Sequence, residues 1–597
     1  MSADQKPTID PTAAWQRRCG SILLLLIIAT FPLILARLAY INVVKAPELL
    51  AKTQRERRSQ AVIPARRGEI RDRKGRCLAT TRHTADVFID PKAVKDRDEA
   101  IGAVAARLNM KESAIRDAIE RRPNSRYIVL AKRVDDVTAA AIEELDMRGV
   151  GLERHVRRFY PHDERMSQLL GFVGADGDGM EGIELAYNQH LSGTDGQVSS
   201  IRDGYRRALY LGDKGRRAPI DGNHLALTLD LEIQRITEEA VAAQVKAFEA
   251  ESGIGIVMRP KTGEVLAMAN IPTFNLNRPA DADKTTRRNR VVTDPVEPGS
   301  TFKPFIASGA LSHGVLTPYE KIDCEENGVM RMSGRTIRDT HANGMQDITG
   351  IITKSSNIGM VKIGQRMGAP LLHQTLLDFG FGQRTGIGLP GESSGVVYPL
   401  EKWKSGSAIS VSFGYEVMVT PLQLITGFCA LVNGGQSVRP SIVAGCETPQ
   451  GESMTCKLRE RERRVRVHTP ERTQRVNADT ARFISQEAMR SVVENGTIKR
   501  HFKGPYTVIG KTGTAKLMKP DRSGYASRSY LGTFMGAGPS KDPELAVVVM
   551  IRKPNADKGY YGGTTAAPAV SRILTEALTY LGVRPDRGEP VALGSTR

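Results

Sequence analysis

Pro298-Gly299-Ser300-Thr301-Phe302-Lys303 reads as a tight turn running into the first turn of a helix. Residues three apart on a helix share a face, so Lys303 projects beside Ser300. A serine hydroxyl alone is a poor nucleophile, and a neighbouring amine of depressed pKa can take its proton. Burial and the positive end of a helix both push a lysine in that direction. Ser-x-x-Lys alone also describes a serine cap followed by a surface lysine, so its meaning depends on what accompanies it.

Two further motifs come after it in order. Ser355-Ser356-Asn357 lies between residues 351–354 and the apolar run 358–363, as a loop between helices. Ser355 there can relay a proton to a leaving group, and Asn357 can hold a substrate amide. An ordinary polar turn has the same composition. Lys511-Thr512-Gly513-Thr514 succeeds strand-like 506–510. On a sheet edge Gly513 lets a peptide backbone approach as an added strand, while Lys511, Thr512 and Thr514 supply charge and hydroxyls for a terminal carboxylate. Singly, this motif reads more plainly as a basic turn. Together and in this order, the three form the set of penicillin-interacting serine enzymes.

On these motifs the chain resembles a class B penicillin-binding protein, a peptidoglycan D,D-transpeptidase, over nearly all of its length after an N-terminal apolar segment. Arg67-Gly68-Glu69-Ile70-Arg71-Asp72-Arg73-Lys74-Gly75 is similar to the family's Arg-Gly-x-Ile-x-Asp-Arg-Asn-Gly, with Lys74 in place of the usual Asn. Arg158-Phe159-Tyr160-Pro161, Gly171-Phe172-Val173-Gly174, Gly182-Ile183-Glu184, Leu227-Thr228-Leu229-Asp230, Thr420-Pro421-Leu422-Gln423 and Tyr561-Gly562-Gly563 also resemble family signatures. The stretch 532–539 departs by carrying Gly538 before Pro539.

The resemblance implies a membrane-anchored α+β fold: an extended pedestal, then a transpeptidase domain with an antiparallel five-stranded sheet flanked by helices. It also implies the reaction. Ser300 attacks the penultimate D-Ala carbonyl of a peptidoglycan stem peptide with Lys303 as base, and the backbone N–H groups of Ser300 and Thr514 hold the oxyanion. The terminal D-Ala leaves, and an amine of a second stem attacks the acyl-enzyme. The catalytic set is then Ser300, Lys303, Ser355, Asn357 and Lys511, with Thr512, Gly513 and Thr514 binding substrate and β-lactams as expected ligands. Lys303 works as a neutral amine, whereas Lys511 stays charged and reads the substrate carboxylate. No metal or cofactor is required; Asp339-x-His341 with Cys324 has metal-binding residue types but reads better as a polar loop.

The organisation expected outward from these motifs is a cytoplasmic tail over 1–18, a transmembrane signal-anchor over 19–41, a non-catalytic, dimerisation-like pedestal over 60–218, the transpeptidase domain over 223–586, and a disordered tail over 587–597. Residues 19–36 carry no charge and are mostly Leu and Ile, as a spanning helix requires; Pro32 is tolerated in such a span. Helical patterns cover 100–108, 112–119, 231–248 and 567–581, while 225–229, 530–537 and 545–551 read as strands. Residues 255–258 and 264–268 flank Lys261-Thr262-Gly263 as a hairpin. Strands near both ends of the catalytic region predict one central sheet that uses both.

Composition limits the alternatives. Lys and Arg number 85 against 66 Asp and Glu, a net charge of +19, with aromatic residues at 5%. The basic clusters at 52–76 and 457–475 do not interleave aromatic rings for base stacking, so nucleic acid is excluded as a partner, and a membrane surface or anionic polymer fits instead. Cys446 and Cys456 are open as a pair in an oxidising compartment. A serine β-lactamase or carboxypeptidase fits poorly with the large N-terminal region. A β-lactam sensor needs an effector domain that the short tail does not hold, and a scaffold that has lost catalysis does not explain three intact motifs. The form Glu297-Pro298-Gly299-Ser300-Thr301 resembles the septal branch of the family, with an elongation-type enzyme as the alternative. A septal enzyme implies a membrane-embedded glycan polymerase and division proteins as partners, with Gly20, Ser21 and Thr30 as candidate contacts. The catalytic domain is expected outside the cytoplasmic (inner) membrane.

Overall fold

The computed structural model describes residues 11–47, 58–202, 208–210, 216–332, 334–454, 456–457, 464–465, 471–519, 521 and 523–587. The first ten residues, Lys52, Arg55 and Arg57 of the first basic cluster, much of the second, and the expected tail beyond Arg587 lie outside the described residues.

The chain divides into two units. The first comprises Met1–Ala65 with Thr194–Ile220. It contains helix α1 (Pro11–Ala39), with Pro32 inside it, succeeded by a π-helical turn over Tyr40–Lys45. At ~1.5 Å per residue this helix is about 43 Å long, more than the ~30 Å hydrocarbon core of a bilayer. Its Leu and Ile side chains are exposed, as a lipid-facing helix requires. Thr30 Oγ1 donates to the Leu26 carbonyl at 2.8 Å, so the hydroxyl is satisfied within its own helix. The same unit holds a small sheet in which Arg58–Ile63 pairs antiparallel with Gly196–Arg202. These two strands, 58–63 and 196–202, lie at the start and toward the end of the expected pedestal.

The second unit comprises Arg66–Gly193 with Asp221–Arg597. Its N-terminal part has strands β1 (Ile70–Arg71) and β2 (Cys77–Ile89), helices α2 (Arg97–Leu108) and α3 (Glu112–Glu120), strand β3 (Ile128–Val134), helix α4 (Asp136–Glu143) and strand β4 (Val150–Phe159). Asp96 caps α2 by accepting from the Asp98 and Glu99 N–H groups. Three of the quoted signatures meet in a buried ion cluster here. Glu184, fully buried, accepts from Arg67 Nε and Arg158 Nε at 2.6 Å each, while Arg67 also reaches the Glu184 carbonyl and Asn188. Burial raises the Glu184 carboxyl, but Arg158 and Arg67 outweigh it and leave the pKa below the usual carboxylate value. A continuous sheet joins this part to the remainder of the unit: β1 lies parallel to β5 (His224–Leu227), with Ile70 opposite Leu225.

Helix α5 (Leu231–Ala247) is next, capped by Asp230, then strands β6 (Ser252–Met258) and β7 (Val265–Ile271), which form the expected hairpin. Helices α6 (Lys303–Ser312), α7 (Ile348–Lys354), α8 (Asn357–Asp378) and α9 (Pro421–Val432) come after them, then strands β8 (Val443–Glu447), β9 (Ile509–Met518), β10 (Tyr525–Gly538) and β11 (Leu545–Arg552), and helix α10 (Ala567–Tyr580). The central sheet has the order β7-β6-β11-β10-β9, wholly antiparallel. It thus closes the start of the domain onto its end, with helices α5 and α10 packed on one side and α9 on the other. Every residue of β6 is buried, as a central strand covered on both faces should be. Strand β9 is the free edge. Cys446, on β8, is disulfide-bonded; the side chain of Cys456 lies outside the described residues.

Candidate active site

Ser300 sits in a 3-10 turn over Gly299–Phe302 that continues into α6 at Lys303. Aromatic packing fixes that turn. The Phe302 and Phe381 ring centroids are 4.7 Å apart, and Phe305 meets Phe379 and Phe381 at 5.0 and 5.2 Å. Such a cluster is rigid because each ring fills space that another would otherwise leave empty. Thr301 and Phe302 are buried while Ser300 stays partly accessible. The turn also docks on a loop: Gly299 N–H donates to the Gly414 carbonyl at 3.0 Å. Gly414 has φ +86°, and a Cβ there would fall 2.2 Å from the Gly299 carbonyl oxygen, so no other residue fits.

Ser355 and Asn357 occupy the junction of two helices, as expected. Ser355 ends α7 in the left-handed region at φ +57°, and Ser356 caps α8 by accepting from Gly359 N–H. This bend aims Ser355 and Asn357 at the lysine. Lys303 Nζ donates to the Ser355 carbonyl at 2.6 Å and to Asn357 Oδ1 at 2.7 Å, with Ser355 Oγ at 3.3 Å. Asn357 Nδ2 in turn donates to the Arg338 carbonyl at 2.9 Å, which sets the amide orientation. Asn357 Oδ1 thus helps to hold Lys303 in place.

Lys511 arrives from the sheet. The motif expected after a strand lies within one, since β9 runs through it, with Lys511 opposite Met535 and Thr514 opposite Gly532 on β10. Lys511 Nζ donates to Ser355 Oγ at 3.0 Å and to the Thr512 carbonyl at 3.1 Å. Gly513 also has a close neighbour within the protein. A Cβ there would lie 2.7 Å from Thr301 Cγ2 and 3.1 Å from the Pro298 carbonyl oxygen. Its missing side chain admits the Ser300 turn itself. Thr514 Oγ1 accepts from Gly562 N–H at 3.1 Å, which leaves its hydroxyl proton free for a ligand.

Both lysines are 0% exposed. Burial pushes Lys303 well below the usual lysine range, and the neighbouring Lys511 pushes it further, against a smaller upward pull from Asp339. Burial alone brings Lys511 down to about 7. Two ammonium groups cannot share Ser355 Oγ in a dry site at low cost, and neutralising one removes the conflict.

Asp339, weighed from the sequence only as a polar loop or metal ligand, organises the second motif. Its carboxylate accepts from Ser356 Oγ and Asn357 N–H at 2.5 Å each, from Ile358 N–H at 3.1 Å and from Asn343 Nδ2 at 2.8 Å. A carboxylate at the N-terminus of α8 meets both the unsatisfied N–H groups and the helix dipole. No local signal names the helix that Asp339 caps, because the two are joined only by folding. Among the described residues no group of three or more His, Cys, Asp and Glu side chains has metal-holding geometry.

Comparison with known proteins adds independent weight. Residues 253–575 match the family profile described as "Penicillin binding protein transpeptidase domain", and residues 62–227 match "Penicillin-binding Protein dimerisation domain". The chain is 33% identical to a probable peptidoglycan D,D-transpeptidase, PbpC, of Pseudomonas aeruginosa, over 88% of each chain. It is also 33% identical to the peptidoglycan D,D-transpeptidase FtsI of Escherichia coli, over 95% of this chain and 92% of that one. Among solved structures, penicillin binding protein 3 of Mycobacterium tuberculosis in complex with aztreonam is similar at a TM-score of 0.67 and 28% identity, covering 90% of this chain and 100% of that one.

Proposed function

From the premise that this chain belongs to the class B penicillin-binding peptidoglycan D,D-transpeptidases, we propose that Ser300 is the residue acylated by the donor substrate and by β-lactams. One observation carries the assignment of the base. A neutral amine has two N–H groups and one lone pair; the two carbonyl oxygens on Lys303 Nζ take the first two. The lone pair is left to receive the Ser300 proton as Oγ attacks the penultimate D-Ala carbonyl.

The oxyanion then forms beside the backbone N–H groups of Ser300 and Thr514, donors of a kind worth about 2.7–4 kcal/mol each in other acyl-transfer sites. Ser355 Oγ, in reach of both lysines, carries a proton to the departing D-Ala amine. The acceptor amine returns along the same path in reverse and forms the cross-link. Lys511 with Thr512 and Thr514 reads the terminal carboxylate, whose negative charge favours the protonated lysine. Labelling with a fluorescent penicillin tests the assignment: Ser300→Ala should lose covalent label while thermal unfolding stays nearly unchanged. Stoichiometric label on that variant would refute it.

We further read residues 223–586 as the transpeptidase domain and α1 as a single-pass anchor in the cytoplasmic membrane, with the catalytic unit on the outer side. Cell-wall stems are cross-linked outside the cytoplasm, which supports that orientation. The Glu297–Thr301 form around the nucleophile supports a septal role beside a glycan polymerase. Depletion should give cells that enlarge without dividing, with a tagged copy at the division site; rounded cells and sidewall localisation would assign the enzyme to elongation instead.

A further inference from the structure

A cavity of about 190 Å³ is lined by none of the catalytic residues. One wall is a two-stranded ribbon in which Gln436–Val438 pairs antiparallel with Arg472–Gln474, and Ser437 stands opposite Thr473. Side chains alternate along a strand, so Ser437 and Arg439 share a face with Glu471, Thr473 and Arg475. Those five line the cavity, and the residues between them do not. The other walls are Gln423 and Thr426, one turn apart on α9, and the loop after α8, which contributes Arg384.

Three arginines against one glutamate give this lining a surplus of two positive charges. Glu471 lies 3.6 Å from Arg439 and is 75% exposed, so water screens the pair and little charge is neutralised. Arg439 is held in place by the Gly386 carbonyl, 2.6 Å from its Nη2. Arg384 is exposed and has no ion pair or side-chain hydrogen bond among the described residues. Arg475 is half-buried, and its Nε is shut away from water with no hydrogen-bond partner. Burial lowers the Arg475 pKa against a smaller upward pull from Asp378, whose Oδ1 already accepts from Gln374 Nε2 at 2.7 Å. The Ser437 and Thr473 hydroxyls also lack a side-chain hydrogen bond among the described residues. A buried N–H without an acceptor is costly, and an anion entering the cavity can supply one.

These donors reach the cavity from three elements, the loop after α8 and both strands of the ribbon. A carboxylate offers two oxygens in one plane, whereas a phosphate offers oxygens on several sides and so suits donors spread in this way. Guanidinium groups bind phosphate in a fixed fork geometry. The cavity holds the volume of about six waters, enough for a phosphate and part of an ester substituent. We propose that it is a phosphate-binding site, taking inorganic phosphate or the phosphate of an ester, with Arg384 and Arg475 as its principal ligands.

The test is isothermal titration of the full-length protein in detergent and a phosphate-free buffer. The probes are inorganic phosphate, glycerol phosphate as a monoester, diglyceryl phosphate as a diester, and acetate as a planar carboxylate. A phosphate probe should bind saturably, and Arg384→Gln and Arg475→Gln should each weaken it by about tenfold or more, the effect of losing a hydrogen bond to a charged group. Arg384 is exposed, so its variant keeps the test decisive if Arg475→Gln fails to fold; thermal melting checks both. Tightest binding of inorganic phosphate supports the site with the free ion as its ligand, and tightest binding of the diester supports it with a phosphodiester polymer. No saturable binding of any phosphate probe, acetate binding as tightly as phosphate, or unchanged affinity in Arg384→Gln would overturn the proposal.

Discussion

The charge state of Lys511 sets the pH dependence of acylation. The pH profile of kcat/KM reports the free enzyme, so two groups matter. Lys303 must be neutral to take the Ser300 proton, and burial with the neighbouring Lys511 holds its pKa well below the usual lysine range. Lys511 must be protonated to meet a carboxylate, and burial brings it to about 7. As pH rises through that value the carboxylate reader is lost. At pH 8 about a tenth of Lys511 keeps its proton, and at pH 9 about a hundredth, so acylation should fall about tenfold and then about a hundredfold below its plateau. Lys511→Arg removes this descending limb, because a guanidinium does not lose its proton in this range. Its plateau should be lower, since the larger side chain enters a fully buried site at a cost of about 1–3 kcal/mol. Time-resolved labelling of the full-length protein by a fluorescent penicillin, from about pH 5 to about pH 10, measures both. A wild-type profile flat through pH 8, or the same descending limb in Lys511→Arg, would refute the reasoning.

Three further perturbations separate positioning from stability. Asp339→Ala removes the acceptor of Ser356 Oγ and of two α8 N–H groups, so it should cost about 2–3 kcal/mol in unfolding and slow labelling; Asp339→Asn, which still accepts from the backbone, should lie between. Gly513→Ala drives a methyl to 2.7 Å from Thr301 Cγ2 and should slow acylation by about tenfold to a hundredfold through displacement of the nucleophile turn, with only a modest change in melting. Equal rates in Gly513→Ala and wild type would show that the turn yields freely. Glu184→Gln leaves two buried guanidinium groups under-paired and should cost about 3–5 kcal/mol. Because the Glu184 pKa is depressed on balance, its contribution is present above the unfolded carboxylate value of about 4.3 and lost as pH falls through the folded value. The Gln variant should lack that acid-side loss in denaturant melts.

What was legible in the sequence is what neighbouring residues decide. The apolar spacing over 231–248 became Leu231–Ala247, and the Lys261-Thr262-Gly263 turn joins β6 to β7 as its flanking strands required. The Ser300–Lys303 spacing and the helix-to-helix bend at Ser355 are likewise set within about one turn of chain. The family signatures at Arg67, Arg158 and Glu184 could be quoted singly, but nothing local says that one carboxylate binds both guanidinium groups.

Tertiary structure decided the rest. Folding brings Ser355 from the α7–α8 bend between Lys303 and the Lys511 of β9, and only that convergence sets the hydrogen-bond partners of the two amines. At Gly513 the Ser300 turn comes close across the fold, a contact no local pattern names. Asp339 and α8 meet for the same reason. The depression of the Lys511 pKa could not be read locally, because it depends on how much water the whole packed domain excludes. Chain neighbours fix conformation and spacing over a few residues; desolvation and hydrogen-bond partnership come from elements that share no sequence neighbourhood, and these decide which of the recognised side chains can carry a proton.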